Sequence, residues 1–327
     1  MKKLSKLTLA LVMVLVLGLL PLAGCSSSSE KIKIGVVQLV QHPALDASYQ
    51  GFVDALKDAG YVDGEKITIS YQNGQGEQSN CQTIATQFAN DKMDLVLSIA
   101  TPAAQAAANV IKDIPILVTA VTDPENAKLV NSNEKPGGNV TGTSDLTPIK
   151  EQFDLMVRLL PNVKTVAILY TSSETNSVFQ AGLAKEAATA LGLEIVEATV
   201  SSSNEIQQVV ESVLDRVDAI YIPTDNTFAN AMSTVTMVTE AAKMPVIVGE
   251  EGMVNGGGLA TIGINYYNLG YQTGQMAVRI LKDGAKPADM PIEYQKDVSV
   301  TINTDAAAAI GVTIPEDLAK VNTFKAK

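Results

Sequence analysis

The sequence predicts an α/β fold of two similar lobes, each a doubly wound parallel sheet, joined by a hinge of three crossovers. Three observations carry that prediction. The chain has 327 residues, 46% of them hydrophobic, more than a single core ordinarily serves. Short apolar runs alternate with stretches of helical spacing, the pattern of parallel strands covered on both faces. The order of those elements in the first half then recurs in the second.

Residues 32–39 open the first lobe as a strand, and 48–59 have helical spacing that stops at Gly60. Strands follow at 67–71, 95–99 and 116–121, with helices at 81–90 and 102–111 between them. The second half repeats this: strands at 166–170, 195–199, 219–222 and 246–249, helices at 179–190, 204–214 and 229–242. Ile34 matches Val166, Gly60 matches Gly192 and Asp94 matches Asp218. "IPILVTAVTD" matches "MPVIVGEEGM", and the closing pieces "GGNVTGTS" and "GGGLATIG" agree. A helix at 269–281 and a strand at 298–303 are surplus to the repeat, so the chain is expected to cross between lobes near 144–148, 264–268 and 291–294. That makes lobe 1 residues 31–145 plus about 266–291, and lobe 2 residues 146–265 plus about 292–327.

Residues 1–24 stand outside this pattern. Lys2, Lys3 and Lys6 precede an apolar stretch at 7–20, too short to span a membrane comfortably, and Leu22-Ala23-Gly24-Cys25 follows. This is a secretion signal. Its ending resembles a bacterial lipobox, in which Cys25 is acylated and becomes the new N-terminus. Residues 25–30 then form a lipid-anchored, Ser-rich tether, and two or more acyl chains hold a protein on a membrane surface without spanning it. Loss of the leader leaves 21 basic against 35 acidic residues, a net charge of −14, which argues against nucleic acid as a partner. Cys81 is then the only other cysteine, so no internal disulfide forms.

The single histidine, His42, excludes most His-rich metal sites. No GxGxxG follows the first strand, no Walker pattern occurs, and Ser172 and Ser173 lack a GxSxG elbow. No catalytic residue, metal or cofactor is expected, and the chain is not expected to be an enzyme.

Ligands of open parallel sheets sit beyond the carboxyl ends of the strands. Here those ends read "QLVQHPALD", "SIATP" and "TAVTDP" in the first half, and "YTSSETNS", "PTDN" and "GEEG" in the second. Thr101-Pro102 suits a helix start whose free N–H groups attract an anion. The matching position in the second half is Asp225. An anion site facing a carboxylate suits a zwitterion such as a free amino acid, with Thr101 on the ligand carboxylate and Asp225 on its ammonium. Each residue is equally a plain helix cap, and His42, Asp46, Asp123, Glu174 and Glu250 each have an ordinary loop or cap reading as well.

"HPALD", "GFVDALKDAGY", "IATPAAQA", "AVTDPENAKLV", "KPGGNVTGTSDLTP", "NSVFQAGLAKEAA" and "DAIYIPTDNT" resemble, in that order and over nearly the whole mature chain, the tryptophan/tyrosine-type ABC transporter substrate-binding family. The resemblance implies a type I periplasmic-binding-protein fold and an aromatic amino acid bound between the lobes. It implies an ABC permease with its ATPase as partners, with the protein acting as a monomer. By position it carries over His42, Leu45, Asp46, Thr101, Thr119, Asp123, Ser144, Asp145, Glu174, Asn176, Ser177, Thr224, Asp225 and Asn226 as cleft residues. Gly249-Glu250-Glu251-Gly252 departs from the family pattern and puts an extra carboxylate, Glu250, on one wall. A sugar or nucleoside ligand, or a sensor role before a membrane receptor, are the alternatives. Scarce loop aromatics weigh against a sugar.

Overall fold

In the computed structural model, residues 31–318 and 322–324 are described; the leader, Cys25 and the Ser-rich tether lie outside them. The first sheet joins β1 (Ile32–Gln38), β2 (Ile67–Asn73), β3 (Leu95–Ile99), β4 (Ile116–Val121), β5 (Val140–Ser144) and β11 (Glu293–Tyr294), in the order β11-β5-β4-β3-β1-β2. Every pairing in it is parallel. The second sheet holds β6 (Thr165–Thr171), β7 (Glu194–Val200), β8 (Ala219–Ile222), β9 (Val246–Val248), β10 (Ala260–Gly263), β12 (Ser299–Asn303) and β13 (Asn322–Phe324), in the order β13-β12-β10-β9-β8-β6-β7. It is parallel except where β12 runs against β10. Among the described residues no helix is long and apolar enough to cross a membrane.

The inner strands are apolar because both faces are covered. In β3, β4 and β8 every residue is buried. On the first sheet lie α1 (Pro43–Asp58), α2 (Gln78–Asn90), α3 (Thr101–Val110) and, from late in the chain, α10 (Tyr266–Asp283). On the second lie α4 (Ile149–Leu159), α5 (Thr175–Ala190), α6 (Ile206–Val213), α7 (Asn226–Asn230), α8 (Met232–Ala241), α9 (Glu251–Asn255) and α11 (Thr304–Ile310).

The repeat seen in the sequence has a physical counterpart. Asp94 accepts a hydrogen bond from Lys33 N (2.7 Å), and Asp218 accepts from Lys164 N (2.8 Å). In each lobe, the aspartate ahead of the third strand ties down the backbone at the start of the first. Gly60 and Gly192 both take the left-handed conformation just after the helix that follows the first strand of each lobe (φ 81° and 73°).

Several elements differ from the sequence reading. Helix α1 starts at Pro43, not near 48, because Pro43 itself occupies the first helical position. Helices α4, α9 and α11 carried no expectation. The helix expected over 229–242 is two helices, α7 and α8, parted at Ala231. The crossings fall at 145–148, 264–265 and 295–298. The third comes later than 291–294 because Glu293–Tyr294 pairs with β5 in the first sheet, so those residues do not belong to lobe 2.

Helix α10 packs on α1 at backbone distance. A Cβ on Gly270 would meet Ser48 O at 1.8 Å, and one on Gly51 would meet Tyr267 O at 2.0 Å. Only glycine fits at either position, and Ser48 Oγ donates across the contact to Tyr266 O (3.2 Å). The segment after the second crossing is therefore fixed to the first lobe.

Candidate functional site

The lobes touch along the carboxyl ends of their strands. Gln105 Nε2 of α3 donates to Thr175 Oγ1 at the start of α5 (3.2 Å), and Gln180 Nε2 of α5 donates to Thr122 Oγ1 just after β4 (3.3 Å). His42 Nε2 lies 3.4 Å from Asn226 Oδ1. Asn226 Nδ2 donates to Glu174 (2.6 Å), so its Oδ1 can only accept, and His42 carries its proton on Nε2. Burial holds the His42 ring neutral and lowers its pKa to about 4.

Between the lobes lies a narrow cavity lined by His42, Leu45, Ala120, Thr122, Asp145, Asn176, Thr224, Asp225, Asn226, Ala229, Glu250 and Tyr266. The space between its atoms, mouth included, is ≈ 290 Å³, and the part a water could occupy is ≈ 10 Å³. That is room for about one water, so a larger ligand enters only if the lobes part. A wider groove of ≈ 940 Å³, mouth included, lies outside it, with Leu39, Gln78 and Pro102 on one side and Ser173, Glu174 and Thr227 on the other.

Local structure sets each wall. On the first lobe, β4 and β5 slip register between Val118 and Val121. Ala120 sits in that irregularity with φ 54° and lines the cavity. Left-handed backbone at a non-glycine residue costs free energy and recurs at ligand sites. Asp145 follows β5 directly; its Oδ2 accepts from the Tyr266 hydroxyl (2.7 Å) while its Oδ1 has no hydrogen-bond partner. Burial raises its pKa to about 6, against the opposing effects of Tyr266 and the nearby Thr122.

On the second lobe, three carboxylates are capping groups. Asp225 caps α7 through Phe228 N (2.9 Å) and also accepts from Thr171 N (2.7 Å) and Thr171 Oγ1 (2.9 Å). Glu174 accepts from Thr227 N (3.1 Å), Thr227 Oγ1 (2.8 Å) and Asn226 Nδ2 (2.6 Å). Glu250 caps α9 through Met253 N (2.8 Å) and Gly252 N (2.5 Å). Burial nevertheless raises all three. The Asp225 charge adds to the shift of Glu174, which reaches about 7, and Glu250 also reaches about 7. Glu250 is brought in by a close backbone contact: a Cβ on Gly249 would meet Thr224 N at 2.2 Å. Buried Gln152 of α4 braces that turn, donating to Gly249 O (3.1 Å) and Ile262 O (2.8 Å) while accepting from Tyr221 OH (2.6 Å).

Of the residues expected from sequence, His42, Leu45, Asp145, Asn176, Thr224, Asp225, Asn226 and Glu250 line the narrow cavity. The others do not. Asp46 is exposed and bonded by Gln38 Nε2 (2.7 Å). Asp123 closes its own turn through Glu125 N, Asn126 N and Asn133 Nδ2. Thr119 accepts from Thr143 inside the first lobe, and Ser144 donates to Thr122 O, fixing the first crossing. Ser177 accepts from Asn176, and Glu174 faces the outer groove. Thr101 is buried at the start of α3 and lies outside the cavity lining. The ammonium role expected of Asp225 meets a carboxylate whose two oxygens already serve lobe 2 donors. Sequence reasoning missed Ala120, Thr122, Ala229 and Tyr266. Thr122 lies in the loop "TAVTDP" already singled out, and Tyr266 follows the second crossing. Nothing in the sequence marked Ala229.

Residues 33–325 match the family model described as ABC transporter substrate binding protein. A curated relative, the tyrosine-binding protein of Clostridioides difficile strain R20291, is 41% identical over 320 residues, covering 94% of this chain and 92% of its own. A crystal structure from Streptococcus pneumoniae of an ABC domain in complex with L-Trp is 42% identical, with TM-score 0.87, covering 90% of this chain and 100% of that one. A ligand-free, open substrate-binding protein with adhesive properties from Clostridium difficile is 45% identical, with coverage of 90% and 99%, yet its TM-score is 0.70. The higher identity with the poorer superposition puts the lobes of this chain nearer the arrangement of the L-Trp complex.

Proposed function

Since the chain belongs to the family of ABC transporter substrate-binding proteins, we propose that it is a lipid-anchored receptor that captures a free aromatic amino acid outside the cytoplasm. It delivers that amino acid to an ABC permease and its ATPase. Proteins of this family have the type I periplasmic-binding-protein fold and bind a solute rather than transform it. The observation that carries the reading is the charge of the cavity. Asp145, Asp225 and Glu250 line it, and no lysine or arginine stands among its described lining residues. Such a wall favours a ligand with a positive group, and the relatives at 41–42% identity, one named tyrosine-binding and one in complex with L-Trp, supply the class.

Binding is coupled to hinge motion. The ligand enters between parted lobes and is enclosed when they meet, so its contacts to both walls shift the open–closed equilibrium. A micromolar ligand has about 8 kcal/mol for binding and closure together. With no Trp in the chain, ring stacking falls to groups such as His42 and Tyr266, both on the cavity wall. Acylation of Cys25 and the tether at 25–30 keep the receptor beside the permease.

The test is calorimetric titration of the chain from Glu30 onward, unfolded and refolded to strip carried-over ligand. Tyrosine, tryptophan, phenylalanine, leucine and a panel of sugars and nucleosides are the titrants. Tight binding of an aromatic amino acid is the expected result. Binding of a sugar or nucleoside with no response to any amino acid would remove the reading and leave the family assignment intact.

A further inference from the structure

Among the described residues eight buried polar side-chain atoms have no hydrogen-bond partner, and half of them gather at one place. His42 Nδ1, Asp145 Oδ1, Asn176 Oδ1 and Thr224 Oγ1 belong to residues that line the narrow cavity. Buried polar atoms are ordinarily paired, and an unpaired one is costly. Two of these atoms, a carboxylate oxygen and an amide oxygen, can only accept, and neutral His42 offers a third acceptor in Nδ1. The amide orientation of Asn176 is fixed by its own donors: Nδ2 gives hydrogen bonds to Ser177 Oγ (3.2 Å) and Thr224 O (3.3 Å), which leaves Oδ1 toward the cavity.

The acceptors come from both sides. Asp145 belongs to the first crossing, immediately after β5, and is held by Tyr266 from the start of α10. Asn176 stands in the first turn of α5 and Thr224 just beyond β8, both on the second lobe. Asp225, the carboxylate that sequence position singles out, has no comparable vacancy in its hydrogen bonding, because Thr171 and Phe228 occupy both oxygens.

Resting on the amino-acid reading above, we propose that Asp145 Oδ1 on one wall and Asn176 Oδ1 on the other receive the ammonium group of the bound amino acid, and that Asp225 does not. An ammonium has three donors and no acceptor, which matches a pocket of unpaired acceptors and would leave them unpaired with any ligand lacking the amine. The same group then joins the lobes, so recognition of the positive charge and closure are one event.

The test compares each amino acid with its desamino partner: L-tyrosine against 3-(4-hydroxyphenyl)propanoate, and L-tryptophan against indole-3-propanoate. Calorimetry is run on the chain from Glu30 and on three variants. The unmodified chain favours the amine-bearing ligand. Asp145→Asn loses affinity for it on the order of 100-fold and loses most of the discrimination, because the desamino partner is little affected. Asp225→Asn, which also removes a charge from the cavity wall, lowers thermal stability and reduces the discrimination ratio less than Asp145→Asn does. Asn176→Ala reduces the ratio in the same direction as Asp145→Asn and serves alone if Asp145→Asn does not fold. An unchanged ratio in Asp145→Asn, or in Asn176→Ala where that variant stands alone, overturns the proposal. So does a larger loss of the ratio in a folded Asp225→Asn than in Asp145→Asn. Failure of the unmodified chain to bind any aromatic amino acid is a different result, and it removes the amino-acid reading itself.

Discussion

The two walls of the cleft use the same chemistry for different ends. The second lobe presents Asp225, Glu174 and Glu250, whose oxygens are taken up by the backbone and hydroxyl donors of their own lobe. The first presents Asp145, held by one hydroxyl and otherwise unpaired. A carboxylate that caps a helix stabilises the lobe that contains it. A carboxylate left half-satisfied is a cost to the closed protein until something donates to it. Residue type alone does not separate the two cases, and the hydrogen-bond census does.

pH offers the largest lever on that contrast. Asp145, Glu174 and Glu250 have folded pKa values raised to about 6, 7 and 7 by burial. The folded protein therefore holds more protons than the unfolded chain between roughly pH 4 and 7, and stability falls as pH rises through that window. His42, lowered to about 4, has the opposite sign: it favours the folded form as pH rises from about 4 to 6.5. Three carboxylates outweigh one imidazole. The thermal midpoint of the ligand-free chain should drop between about pH 5 and 7.5, while the upward shift given by a saturating aromatic amino acid should grow. A ligand-free midpoint that rises over the same range would contradict the burial of these groups.

Asp225→Ala comes next. It removes a helix cap and strands the Thr171 and Phe228 donors in a buried site, at a cost of about 2–4 kcal/mol in urea unfolding. Asp145→Asn, which keeps an acceptor for Tyr266 and removes a buried charge, should leave ligand-free stability within about 1 kcal/mol or raise it. If the two variants exchanged these outcomes, the assignment of cap and ligand group would be reversed.

Tyr266→Phe is subtler. It takes from Asp145 its hydrogen-bonded donor and should push that carboxyl further above about 6. Affinity for the amino acid would then fall more steeply below neutral pH than in the unmodified chain, which titrations at two pH values will read. The smallest effect is expected from Gln105→Ala, which deletes an exposed bond between the lobes. It should cost closure about 0.5 kcal/mol and leave ligand selectivity unchanged.

Much of the architecture was legible because periodicity reports burial directly. Strands β3, β4 and β8 were read at their observed bounds, since each is a run buried on both faces between clear breaks. The internal repeat gave two sheets, and Asp94 and Asp218 show that it reaches to individual hydrogen bonds. Helix starts were less legible. Pro43 moves α1 to an earlier start, and Asp225 begins α7 before the apolar pattern resumes. The strand at Glu293–Tyr294 is too short to carry a pattern. Within the cleft, the loops were visible but the state of each side chain was not. Whether Asp225 is free depends on Thr171, 54 positions away, and whether Asp145 is free depends on Tyr266, 121 positions away.

The contact of α10 with α1 also constrains when the molecule can be assembled. The glycines at 51, 270 and 274 join segments separated by the whole of the second lobe, and β11 reaches the first sheet only near residue 294. A chain growing from its N-terminus therefore cannot complete its first half first. That half waits, with a helix groove and a sheet edge uncovered, until the second half has been made, and the second half in turn awaits β12 and β13. Neither lobe is finished before the last few dozen residues arrive. For a nascent chain that stays incomplete for most of its synthesis, a late truncation is far more damaging than its length implies.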